Sequence, residues 1–337
     1  MANELIKAVN RRRRVIFKAC FASPFIFSSG MALAAWPERP IKIIVPASPG
    51  GAADITARLI ANGMQESLGV PIVIENRPGG GTNIGLALTA RANPDGYTIG
   101  ISTSAFVINP SLYEKLPFDA LNDFSYIAEL STAPGVLLVR RDSGISSIKE
   151  FVTKARADQT KFNVSTPAIG TPPHLQAEVL KQRENLPGIA TVVFGGGGEA
   201  VAALISGQVQ LCSGVLATAH GQIKAGVLRA LAVSGPRRWH DLPDVPTMVE
   251  AGMQDFEFDN YTALVAPAKL PSSIAERIEK AALDAVQRVE ISSKLIQGGS
   301  AVTALGGREH AQRVAKEIPY FRSIITSSKI ERLKSGA

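Results

Sequence analysis

One unit constrains this chain more than any other: Ile41–Ile60, IKIIVPASPGGAADITARLI. Ile41–Val45 is mostly branched and apolar, the pattern of a strand buried on both faces. Pro46-Ala47-Ser48-Pro49-Gly50-Gly51 ends the strand in a turn. From Ala52 onward, Ile55, Leu59 and Met64 fall near a helical period. The unit is therefore strand, Gly/Pro turn, helix. Gly50 and Gly51 have no Cβ, so their amides can approach a ligand closely. Those amides also lie among the unpaired donors at the positive end of a helix. Two readings stay open here: an ordinary βα connection, or a cradle for an anion or carboxylate.

The unit recurs. Pro71–Asn76 reads as a strand, Gly79-Gly80-Gly81-Thr82 as a Gly-rich turn, and the residues to about Ala92 as a helix. Asn93-Pro94-Asp95-Gly96 is a turn, and Tyr97–Ile101 a strand that runs into Ser102-Thr103-Ser104. Asn109–Leu116 and Pro117–Asn122 read as irregular or short helical. Gly135–Arg140 reads as a strand, after which the alternation restarts: helix Ile148–Arg156, strand Lys161–Ser165, helix Pro172–Gln182, strand Thr191–Phe194, helix Glu199–Ser206. Gln208–Cys212 and Leu228–Val233 add strands on either side of a helix at Thr218–Ala225. Pro236–Pro246 is a loop and Glu257–Val265 an extended stretch. The rest reads as helical, with Ile274, Ile278, Ala282 and Val286 on one face and Val314, Ile318, Phe321 and Ile325 on another. Repeated strand–turn–helix implies an α/β fold whose parallel sheets are flanked by helices. Gly135–Arg140 and Glu257–Val265 are candidate crossings between two lobes. Discontinuous lobes and two consecutive domains both fit the spacing.

The net charge of +7 hints at a nucleic-acid or membrane partner, but five of those charges lie in residues 1–34, leaving +2. Arg11–Arg14, an apolar stretch over Ala19–Met31 and Ala32-Leu33-Ala34 form an export signal, which places cleavage before Ala35 or Trp36. Arg13–Lys18 also fits a twin-arginine pattern, so either export route remains open. Lys18 and Pro24 interrupt the apolar run, which is too short for an anchor. Lys18, two positions before Cys20, disfavours a lipoprotein. Removing the signal leaves Cys212 as the one cysteine, with no partner for a disulfide or zinc site. The expectation is a soluble periplasmic protein that does not bind nucleic acid.

Motifs for covalent chemistry are missing. Gly79–Gly85 follows a strand and opens a helix, but Ile84 stands where GxGxxG needs glycine or alanine. There is no GK pair, no HExxH and no GxSxG. Among the histidines, His220 and His310 are expected at the surface and His240 in a solvated loop. His174 follows Ser165–Pro173, a strand exit rich in hydroxyls and turn formers, and would sit in the first turn of a helix. It either packs there or donates to a ligand carboxylate. No acid–base partner for it is evident. Asp54, in the first turn of the opening helix, is read as support for that helix start. Phe194-Gly195-Gly196-Gly197-Gly198 makes a third Gly-rich strand exit. In open parallel sheets ligands bind beyond the carboxyl ends of strands, so such turns on two facing lobes would enclose a small molecule.

At this point the chain resembles a known family, the periplasmic solute receptors of tripartite tricarboxylate transporters, often called Bug proteins. The resemblance covers nearly all of the chain after residue 34. It rests on WPERPIKIIVPASPGGAADITARL, ENRPGGGTNIG, PDGYTIGISTSAFVINPSLY, LPFDALNDFSYIAEL, GTPPHL, LISGQVQL, LRALAVSGPRRWHDLPDVPTMVEAG and APAKLPSSIAERI. It implies a two-lobed periplasmic-binding-protein fold of type II kind with a ligand cleft between lobes. Lobe one would span 35–138 and 262–337, and lobe two 139–261. It implies binding without catalysis, no cofactor and no metal. The ligand would be a small organic acid, delivered to membrane permease subunits by a monomeric receptor. The loop positions it carries over are Ala47, Ser48, Gly50 and Gly51; Gly80, Gly81 and Thr82; Ser102, Thr103 and Ser104; Thr166, Ala168, Gly170, Thr171 and His174; and Phe194 with Gly195. Two departures stand out. Members often have glycine where Ala168 stands and tyrosine where Phe194 stands, and losing the phenol removes a donor. A ligand sensor feeding a signalling system and an exported enzyme are the alternatives.

Overall fold

A computed structural model describes residues 36–253 and 258–334. The export signal expected in residues 1–34 lies outside the described residues. Ile41–Val45 forms β1, buried at every position but Lys42. Ala52–Leu68 forms α1, Ile72–Asn76 β2, Asn83–Ala90 α2 and Thr98–Thr103 β3. β1 pairs in parallel with β2 on one side and β3 on the other. After α3 (Ala105–Leu112) and β4 (Phe124–Arg140) comes α4 (Ile148–Ala157). The pattern then repeats: β5 (Asn163–Thr166), α5 (Pro172–Arg183), β6 (Ala190–Val193), α6 (Gly197–Ile205), β7 (Leu211–Val215), α7 (Leu216–Lys224) and β8 (Leu228–Val233). β5 is parallel to β6 and β7. Two parallel trios therefore stand where the strand–turn–helix pattern puts them.

β4 joins the trios and makes the sheet mixed. Over Phe124–Pro134 it runs antiparallel to β9 (Asp259–Pro267), which pairs on with β3. Over Gly135–Arg140 it pairs with β7 and β8. The strand is thus much longer than the Gly135–Arg140 segment that sequence patterning picks out. Register shifts at Tyr126/Ala128 and Glu129/Ser131 break the alternation that would have revealed its first part. Helices α8 (Ser272–Gln287) and α9 (Val289–Gln297) follow, then β10 (Ala301–Gly306), which pairs with Ala128–Thr132, and α10 (Gly307–Ser327). β10 and α9 were not separated from the final helical stretch by sequence. Asn109–Leu116, read as irregular or short helical, begins inside α3, which ends at Leu112.

The opening helix turns a different face inward from the one its large residues suggest. Ala53, Ala57, Ile60, Ala61, Met64 and Leu68 are buried, while Ile55 is 40% exposed. Small residues permit close approach to α8: a Cβ on Gly63 would lie 2.7 Å from that of Ala285. In α10 the expected face is the observed one, with Val314, Ile318, Phe321 and Ile325 all buried.

Where β4 passes from one trio to the other, one hydroxyl ties the crossings together. The Gly135 amide donates to Ser234 Oγ at 2.7 Å, and that hydroxyl donates to the Phe258 carbonyl at 2.6 Å. Ser234 is fully buried.

Candidate functional site

The strand exits of both trios open on one cavity of about 490 Å³. Its wall is built from helix starts. Gly51, Ala52 and Ala53 belong to the first turn of α1, and Thr82 is the N-cap of α2. Ser104 precedes α3, Thr171 with Pro172 and Pro173 opens α5, Gly196 and Gly197 open α6, and Val215 and Thr218 open α7. Six helices thus present their positive ends to one space. Among the described lining residues no carboxylate occurs, and Lys334 carries the one formal charge.

Asp54 holds the opening turn in shape. Its carboxylate accepts from the Gly50 amide at 2.9 Å, Arg58 Nε at 3.0 Å and Asn76 Nδ2 at 2.9 Å. Asn76 also donates to the Ala47 carbonyl at 2.9 Å. Burial pushes the Asp54 carboxyl up, but the hydrogen bonds from Arg58, Gly50 and Asn76 outweigh it and keep the pKa below the ordinary value. Asp54 is absent from the cavity lining, in keeping with a supporting role.

The Gly79–Thr82 loop explains its own composition. All four residues have positive φ: 118°, 57°, 62° and 79°. Glycine tolerates that region freely; Thr82, being β-branched, is held there against its preference. Gly81 is doubly constrained. A Cβ there would fall 2.6 Å from Tyr113 Oη and 2.7 Å from the Ile169 carbonyl oxygen. The loop therefore meets the Pro167–Thr171 loop of the other trio at close range. Asn109 Nδ2 fixes it from behind through the Gly81 carbonyl at 2.7 Å and Asn83 Oδ1 at 2.8 Å.

Of the positions singled out from sequence, Ala47, Gly51, Gly80, Gly81, Thr82, Thr103, Ser104, Ala168, Thr171, Phe194 and Gly195 line the cavity. Ser48, Gly50, Ser102, Thr166, Gly170 and His174 are not among the lining residues. Ser48 Oγ instead donates to the Gly195 carbonyl at 2.9 Å, joining loops from the two trios. Gly50 supplies the amide to Asp54. Gly170 (φ +75°) lies so near Asn109 that a Cβ would be 2.0 Å from Oδ1. Ser102 and Thr166 are buried at strand ends. His174 starts α5, where its amide donates to Thr171 Oγ1. Burial lowers the pKa of its imidazole, against the opposing pull of Glu178. Tyr113, Val215, Thr218, Asn260, Thr262, Leu333 and Lys334 also line the cavity, and sequence reasoning did not find them.

Three lining hydroxyls, Thr82 Oγ1, Thr103 Oγ1 and Tyr261 Oη, are buried with no hydrogen-bond partner among the described residues. Ser104 Oγ is engaged: it donates to the Asp259 carbonyl at 2.9 Å and accepts from the Tyr261 amide at 3.0 Å.

Two histidines depart from expectation. His220 is buried against Asp241, with Nε2 3.0 Å from Oδ2. His310 is fully buried, its Nδ1 3.3 Å from Glu129 Oε2. Arg313 Nη1 reaches Glu129 Oε1 at 2.8 Å, and its guanidinium sits 4.9 Å from the centre of the Tyr261 ring. Burial raises and these partners lower the Glu129 pKa, with a net downward shift. The network ties α10 to β4 and β9. His240 is exposed, as expected.

Among the described residues no cluster of His, Cys, Asp and Glu could hold a metal. Among the described residues no helix is long and apolar enough to cross a membrane. The two trios, the shared cavity and its ring of helix starts define a two-lobed solute-binding protein of the periplasmic type. The profile described as "Tripartite tricarboxylate transporter family receptor" matches residues 56–330, and the chain belongs to that family. It is 34% identical over 289 residues to a UPF0065 protein from the tcbD-tcbE intergenic region of Pseudomonas sp. strain P51, covering 86% of each chain. The structure of the periplasmic binding protein BugD superposes with a TM-score of 0.85 at 28% identity, over 88% of this chain and 100% of that one. A structure of an R. palustris protein with adipate gives a TM-score of 0.84 at 27% identity, over 88% and 100% of the two chains.

Proposed function

We propose that this receptor binds a small organic acid in the cavity between the two trios and delivers it to the membrane subunits of a tripartite transporter. The observation that carries this reading is the wall itself: six helix starts, one lysine and no carboxylate among the described lining residues. Such a wall favours a negative charge without needing a cluster of cations. Backbone amides at Ala52–Ala53 and Gly196–Gly197, with the hydroxyls of Thr82 and Thr103, are the donors assigned to the carboxylate. The adipate held by the R. palustris neighbour supports the ligand class.

The lobes are assigned as 35–138 with 262–337, and 139–261, hinged where β4 and β9 cross. Closure around the ligand would give a permease a surface to recognise. The protein acts as a monomer in the periplasm, exported by the signal in residues 1–34, and leaves its ligand chemically unchanged. Uptake of the bound acid, measured in a strain lacking the gene, should fall to background. Normal uptake with loss of acid-induced transcription would select the sensor role instead. Conversion of the acid on prolonged incubation with purified protein would make it an enzyme.

A further inference from the structure

The segment after α10 enters the cavity wall. Leu333 and Lys334 line it, some 280 residues beyond the turn that opens the site. Their position is fixed by pairing. The Leu333 amide donates to the Leu112 carbonyl at 2.8 Å, and the Glu114 amide donates back to the Leu333 carbonyl at 2.9 Å. Arg332 Nη2 donates to the Tyr113 carbonyl at 2.6 Å. Tyr113, which this segment flanks, is itself a lining residue. Ile330 and Leu333 pack on the main apolar core, which anchors the segment beneath. Among the described residues Lys334 has no carboxylate partner, and it is the one charged side chain on the lining.

The remaining side chains around the cavity are largely apolar. Ile169, Val193, Phe194, Val215 and Leu333 line it, and Val193 is 39% exposed. A ligand matched to this surface carries its charge at one or two points on an apolar body. A tricarboxylate would leave most of its charge to be met by helix-start amides alone, since Lys334 is the one cation on the described lining.

We propose that the 330–334 segment is a specificity element of this receptor. Lys334 pairs with a carboxylate of the ligand, Leu333 packs on its body, and the ligand is an acid with an apolar body. This rests on the receptor reading above and sharpens it. The pair lies at the edge of the cavity, so its strength is that of one charge-assisted hydrogen bond partly open to solvent.

The test is calorimetric titration of adipate, benzoate, malate and citrate into wild type, Lys334→Gln, Lys334→Arg and Leu333→Ala. Wild type should bind adipate or benzoate more tightly than malate and citrate. Lys334→Gln should weaken that binding about tenfold and flatten its dependence on salt. Lys334→Arg should restore most of it, and Leu333→Ala should weaken it several-fold. Equal affinity in wild type and Lys334→Gln overturns the role of the segment alone. Tighter binding of citrate or malate overturns the ligand class. Failure of wild type to bind any of the four acids overturns the receptor reading itself. Lys334 is exposed, so its variants should melt as wild type does without acid, which separates binding from folding.

Discussion

Replacing Gly81 by alanine tests whether the two loops must approach as closely as the structure has them. Gly50 supplies the control. Both glycines have positive φ, +79° at Gly50 and +62° at Gly81, so both alanines incur the left-handed penalty of about 1–2 kcal/mol. Around Gly50 nothing lies within 4 Å of an added Cβ, whereas at Gly81 the Ile169 carbonyl oxygen would be 2.7 Å away and Tyr113 Oη 2.6 Å. A backbone carbonyl cannot rotate aside, so the Pro167–Thr171 loop must move. Overpacking of this kind adds about 1–3 kcal/mol. Gly50→Ala should therefore cost about 1–2 kcal/mol and Gly81→Ala about 2–5 kcal/mol. At about 2–4 °C per kcal/mol, the melting point should fall by about 2–8 °C in the first and by about 4–20 °C in the second. Gly81→Ala should also bind the best acid at least about tenfold more weakly, since the displaced loop forms part of the wall. Differential scanning calorimetry and titration read both effects. Equal losses in the two variants would refute the close approach.

Four further outcomes follow from the same geometry. Thr103→Val keeps the β-branched shape but removes a buried hydroxyl without a protein partner; stability should hold or rise slightly while acid affinity drops about tenfold, and a clear loss of melting temperature would count against a ligand-facing role. Asp54→Asn should cost about 1–2 kcal/mol at neutral pH. Because the folded pKa of Asp54 is lowered, its contribution is complete above its unfolded value near 4 and fades as pH falls through the folded one, so wild type and variant should begin to converge in acid melts below about pH 4 and meet only below the folded pKa. Ser234→Ala leaves the Gly135 amide and the Phe258 carbonyl without their shared hydroxyl and should lower stability by about 2 kcal/mol in urea unfolding; an unchanged midpoint would show that the crossing is held by other contacts. Burial pushes the Cys212 thiol up to about 11, so iodoacetamide at pH 8 should label it only after unfolding; ready labelling of the native protein would contradict the burial.

The opening strand–turn–helix unit was legible because its signals are local: a branched apolar run, a Gly/Pro break and a helical period. The same holds for Gly79–Thr82, whose glycines answer to a run of positive φ angles. What stayed hidden depends on distant partners. His310 reads as a surface residue until Glu129, 181 positions away, is brought beneath it. The first part of β4 was obscured by its own bulges, since period-two alternation is lost where register shifts. Leu333 and Lys334 join the site through pairing with the end of α3, which no spacing rule anticipates. Ser48 and Gly170 show the converse. Both sit in the expected loops, yet one joins the loops across the trios and the other permits a close approach, so loop membership did not determine contact with the cavity.

The central claim, that this cavity takes an organic acid, is tested most directly by a thermal-shift screen of the wild-type protein. The panel should span aliphatic and aromatic monocarboxylates, dicarboxylates and tricarboxylates, with Gly81→Ala screened in parallel. At least one acid should raise the wild-type melting point in a concentration-dependent way, by an amount corresponding to about 2.7 kcal/mol at a hundredfold excess over Kd. The same acid should shift Gly81→Ala far less. A panel in which no acid shifts the wild type, or in which both proteins shift alike, would contradict the account.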